Sequence, residues 1–78
     1  MTQADKLLDF VSQQLLKGDY TGAVTNCERL LKLLPLHSPL RADVLGQLGT
    51  AHAMLQNYPQ SYAVLTEALK LAPNKADL

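Results

Sequence analysis

Leu7, Leu8, Phe10, Val11, Leu15 and Leu16 recur at intervals of three, four and seven, which puts them on one side of a helix from about Gln3 to Lys17. Thr2, with Asp5 three places on, reads as a capping box in which Asp replaces the usual Glu. Gly18 supplies the left-handed residue that ends this helix, and Asp19 caps a second from about Tyr20 to Leu34, which Pro35 stops. Ser38 ahead of Pro39 sets a capping hydroxyl before a proline at a first helical position, and the third helix runs to about Leu55. Asn57 and Pro59 mark the next turn and the start of a fourth helix, which lasts to about Ala72 before Pro73-Asn74. The pattern predicts four helices and no strand.

The same pattern is written twice. Leu7, Phe10, Val11, Ala23, Leu31 and Pro35 return 38 residues later as Leu45, Leu48, Gly49, Ser61, Leu69 and Pro73. Ala4-Asp5, Tyr20 and Leu31-Lys32-Leu33 recur unchanged as Ala42-Asp43, Tyr58 and Leu69-Lys70-Leu71. A fixed period of this size marks stacked units that each bury an apolar face against a neighbour. Residues 4–37 form the first unit, 38–41 a link and 42–75 the second, within one domain over 1–78. The link is expected to lengthen the third helix at its N-terminus through Pro39-Leu40-Arg41, and Ala76-Asp77 restarts the motif, so 76–78 read as the opening of a third unit. Phe10, Cys27, Leu48 and Leu65 are the expected core knobs; Gly49, Ala23, Ser61 and Ala68 are the small residues that let paired helices approach. Tyr20 and Tyr58 are expected to lie over the turns inside the units.

Leu45-x2-Leu48-Gly49-x2-His52, then Ser61-x3-Leu65, Ala68 and Pro73, resembles the tetratricopeptide repeat, as does Leu7-x2-Phe10-Val11-x2-Gln14 with Ala23-x3-Cys27, Leu30 and Pro35. Both tryptophan positions hold leucine, and Gln56-Asn57 stands where the first unit has Gly18-Asp19. The resemblance implies an all-α fold, an α-solenoid of two stacked helix-turn-helix repeats with four antiparallel helices. It further implies a non-catalytic protein–protein interaction module that takes a peptide or protein segment in a concave groove built from the first helix of each unit. Carried over by position, that groove is Asp5, Leu8, Asp9 and Ser12 with Asp43, Gly46, Gln47 and Thr50. The branch of the family that clamps a terminal carboxylate uses lysine, asparagine and arginine there, and none stands at these eight positions. Three aspartates on the strip favour a basic or amide-rich ligand.

Val44 is expected to pack back on the first unit, whereas its equivalent is the charged Lys6, so the chain reads as the N-terminal part of a longer array. Tyr62, Leu65 and Leu69 correspond to Val24, Cys27 and Leu31 and form a face for the next repeat. Two alternatives stay open: homodimerisation through that face, and a docking region joined to an enzyme such as a transferase.

Composition narrows the chemistry. With 78 residues the chain sits where a single core supplies only about 3 to 5 kcal/mol. Seven basic and seven acidic residues cancel, leaving no long-range positive field to gather nucleic acid or an anionic membrane. Cys27 has no disulfide partner, and no CxxC or HxxxH spacing exists, so neither metal nor other cofactor is expected. His52 is read as structural and His37 as a turn residue; no phosphate loop or nucleophile–base arrangement emerges, and the chain is not expected to be an enzyme. No basic segment precedes an apolar run of leader type and no stretch nears the roughly 20 apolar residues of a membrane span, so a cytoplasmic location is expected.

Overall fold

In the computed structural model, residues 2–71 are described, and they form four helices: α1 (Gln3–Lys17), α2 (Tyr20–Leu33), α3 (Leu40–Met54) and α4 (Tyr58–Leu71). Among the described residues there is no strand. The expected fourth-helix end at Ala72, the Pro73-Asn74 stop and the third-unit opening at 76–78 lie outside them.

Local chemistry sets each boundary. The Thr2 hydroxyl accepts from the Asp5 N–H, and the Asp5 carboxylate accepts from the Thr2 N–H at 3.2 Å, completing the capping box. Gly18 closes α1 with φ 84°, donating to the Leu15 carbonyl while Asp19 N–H reaches the Gln14 carbonyl at 2.8 Å, the paired bonds of a Schellman turn. The Asp19 carboxylate then accepts from Gly22 N–H and starts α2. The same two backbone bonds recur 38 residues on, from Gln56 to Ala53 and from Asn57 to His52. Gln56 takes the left-handed conformation there, with φ 65°, although its side chain makes that costly.

The link between the units meets expectation only in part. Leu40 and Arg41 of the expected extension belong to α3 and Pro39 does not, and α3, like α1, has 15 residues. A turn closes instead from the Ser38 N–H to the Pro35 carbonyl, and Pro39, lacking an N–H, cannot carry the helical ladder further back. The Ser38 hydroxyl does accept from Leu40 N–H at 3.2 Å, as the capping reading requires. Arg41 ties the units together by donating from Nη1 to the Leu31 carbonyl at the end of α2.

α3 touches all three other helices, α1 touches α2 and α3, and α4 touches α3 alone. The core cluster is Val11, Ala23, Cys27, Leu30, Val44, Leu48 and Ala51, with Leu7, Leu15, Val24, Leu31 and Val64 against it. Val44 is fully buried, and Lys6 is exposed. The second pairing rests on small residues: a methyl group on Gly49 would fall 2.5 Å from the Leu65 side chain, and the Ser61 hydroxyl donates to the Gly49 carbonyl at 2.8 Å.

Three packing expectations need correction. Phe10 is not a core knob but is 51% exposed, because one residue of helix turns it about 100° away from Val11, the centre of the buried face. Leu65 abuts Gly49 yet stays 39% exposed, since α4 has only one neighbouring helix. Tyr58 is 63% exposed for the same reason, whereas Tyr20 is half-buried.

Two stability changes follow from this packing. Leu48→Ala opens a hole between α3 and the first unit and should lower the unfolding free energy by about 2 to 5 kcal/mol in a urea titration, enough to unfold a domain this small. Gln56→Gly should raise it by about 0.5 to 1 kcal/mol, because glycine relieves the left-handed strain at some entropic cost in the unfolded chain. Unchanged stability in the glycine variant would show that the second turn carries no strain.

Candidate functional site

The three faces of α3 have three destinations. Val44, Leu48 and Ala51 point to the first unit, Gly49 meets α4, and the side bearing Ala42, Asp43, Gly46, Gln47 and Thr50 floors a groove of about 940 Å³. Asp5, Leu8, Asp9 and Ser12 of α1 form one wall, and Leu65, Ala68 and Leu69 of α4 form the other. All eight groove positions read from the sequence are therefore brought together. Ala42, Leu65, Ala68 and Leu69 complete the lining and were not among them. The missed signal is the i, i+3, i+4 spacing of Leu65, Ala68 and Leu69, which assigns all three to one α4 face.

That wall divides the expected next-repeat face. Leu65 and Leu69 line the groove, with Leu69 51% exposed, while Tyr62 stands outside it at 76% exposure. The walls belong to helices that do not touch, so the groove is open along its top.

Its polar groups are set by a short chain of hydrogen bonds. Gln47 Nε2 donates to the Ser12 hydroxyl at 2.9 Å, and that hydroxyl donates in turn to the Leu8 carbonyl at 3.3 Å. Because Ser12 has spent its proton, the amide nitrogen must face it, which leaves Gln47 Oε1 buried with no hydrogen-bond partner among the described residues. Thr50 likewise donates to the Gly46 carbonyl. The hydroxyls thus keep lone pairs, not protons, for anything entering. The charged lining residues are Asp5, Asp9 and Asp43, with no lysine, arginine or histidine among them. The Thr2 hydroxyl and backbone N–H hold the Asp5 carboxyl below its ordinary range, so its cap contribution is present at neutral pH and lost as pH falls through that lowered value. A side chain added at Gly46 would meet nothing within 4 Å and would enter the groove.

The remaining candidates fall elsewhere. Cys27 is buried in the core, and desolvation, reinforced by Glu28, pushes its thiol up to about 11, the wrong direction for a nucleophile. His52 is half-buried, with Nδ1 3.5 Å from the Asn57 amide nitrogen, and His37 lies exposed in the link. Among the described residues no group of three His, Cys, Asp or Glu side chains is placed to hold a metal ion, and no helix is long and apolar enough to cross a membrane. No family model matches the chain, and neither a curated protein nor a solved structure matches it.

The orphaned acceptor yields a stability test. Gln47→Met removes one hydrogen bond and one unsatisfied buried oxygen together, so its unfolding free energy should stay within about 1 kcal/mol of the parent. Gln14→Met should cost about 1 to 3 kcal/mol, because the buried Gln14 bonds both Asp19 and Asn26 through part-buried hydrogen bonds. Urea titration of the two variants side by side checks the contrast.

Proposed function

We propose that the chain is a two-unit tetratricopeptide-like solenoid that acts as a non-catalytic interaction module, holding a peptide or protein segment in the groove over α3. The observation that carries this reading is the convergence of α1, α3 and α4 on one open, partly apolar concavity whose floor, among the described residues, makes no contact with a further helix. The recurrence of the Schellman turn and of a buried small residue, Ala23 then Ser61, at one offset supports the repeat reading. Pockets of several hundred Å³ with apolar walls and few polar groups are where ligands bind. Most of the exposed area in this groove is apolar. Exposed Tyr62 and Leu69 favour a second reading, self-association through α4.

Selection of a displayed peptide library on the immobilised chain tests the groove. Enriched peptides, titrated against isotope-labelled protein, should shift the resonances of Leu8, Gly46, Thr50 and Leu69. Gly46→Leu should fold at least as stably as the parent, since leucine is the better helix former, yet lose binding by about tenfold or more because its side chain fills the floor. Unaltered affinity in Gly46→Leu and in Asp9→Lys would overturn the assignment. Concentration-dependent mass abolished by Leu69→Glu would favour self-association.

A further inference from the structure

In the first unit a helix already occupies the seat that the groove leaves open in the second. Cys27 and Leu30 of α2 are fully buried beneath Val44, Leu48 and Ala51 of α3, an apolar triad at i, i+4 and i+7. Their equivalents 38 residues on are Leu65 and Ala68, and these, with Leu69, form the exposed apolar wall of the groove. The cover that the described residues lack is therefore helical, with anchors at the same spacing. A helix with side chains is about 10 to 12 Å across and rises about 5.4 Å per turn, so about two turns fill the 940 Å³ available.

Charge selects which helix. The wall facing Leu65 and Leu69 carries the acidic Asp5 and Asp9, and among the described residues no cation lines the groove. Ser12 and Thr50 direct their protons to backbone carbonyls and present acceptors only. A second copy docking groove to groove would bring two acidic linings into one interface, with no cation among the described lining residues of either copy to offset them. We propose that the groove takes an amphipathic helix from a partner protein, with apolar residues at i, i+4 and i+7 against α4 and lysine or arginine on the flank facing α1.

The inference rests on the groove being the binding surface, and the test separates the two. The probe is a capped, alanine-based peptide of about 15 residues, long enough to begin forming helix in water, with leucine at i, i+4 and i+7 and lysine on one flank. Its twin carries glutamate for each lysine. Fluorescence anisotropy should give a dissociation constant at least about tenfold lower for the lysine peptide at low salt, the ratio shrinking as salt screens the contacts. Asp9→Lys should abolish that preference and Asp9→Asn should reduce it; both change an exposed side chain, and circular dichroism confirms their folding. Methyl resonances of Leu8, Leu65 and Leu69 should shift with the lysine peptide.

Equal affinity for the two peptides with those methyls shifted would overturn the charge selection and leave the groove reading standing. Shifts confined to the outer face of α2, or none with either peptide, would overturn both. Methyls already shielded from a soluble paramagnetic probe in the free chain, with mass rising on concentration or with residues 72–78 as the cover, would show another occupant and overturn the inference.

Discussion

Everything in this small fold depends on α3 meeting three different demands around one circumference. Val44, Leu48 and Ala51 must be apolar and large enough to close the first unit. Gly49 must be without a side chain, because Leu65 occupies the space a methyl group would need. The third side carries Ala42, Gly46 and Thr50, small residues that leave the floor low. Since α1 and α4 reach α3 from different directions and never touch, the hollow between them is a geometric consequence of the packing. The groove needs no separate device to hold it open.

The two units solve the same turn with different chemistry, which shows what the repeat must conserve physically. Gln14 bridges Asp19 and Asn26 beneath the first turn; at the equivalent places His52 approaches Asn57 beneath the second. In each case a polar side chain tucked against the turn has a partner, as burial demands. The backbone bonds are identical, and the residue in the left-handed position changes from glycine to glutamine. Turn geometry outlasts residue identity because the carbonyls left free at the end of a helix must be satisfied whatever the side chains are.

What could be read in advance divides along the same line. Capping residues act within a few positions of themselves, so Thr2-Asp5, Gly18-Asp19 and the start of α4 at Tyr58 were legible, and helices α1 and α2 came within one residue. The eight groove positions came from the resemblance, carried over position by position, and the four on each helix stay together because residues three and four apart share a helix face. Exposure is a different quantity, set by how many helices arrive from outside. Phe10 and Leu65 look alike as motif positions, but one sits at the margin of a buried stripe and the other lies on α4, which among the described helices touches only α3. The double duty of Leu65, packing on Gly49 and walling the groove, exists only once α4 is laid beside α3.

The charge distribution shows how a neutral chain can still be selective. Seven acidic and seven basic residues cancel at a distance, yet the charged residues described along the groove all have one sign, and Arg29 and Lys32 lie on the outer side of α2 with Glu28. At physiological salt the Debye length is about 8 Å, shorter than the molecule's 30 × 28 × 23 Å extents, so an approaching segment responds to the local carboxylates more than to the net charge. Among the described residues the walls are joined through α3, and a ligand touching both would link α1 to α4 directly. Anything bound there stabilises the folded chain by mass action, and in a domain with so small a core that contribution is comparable with the core's own.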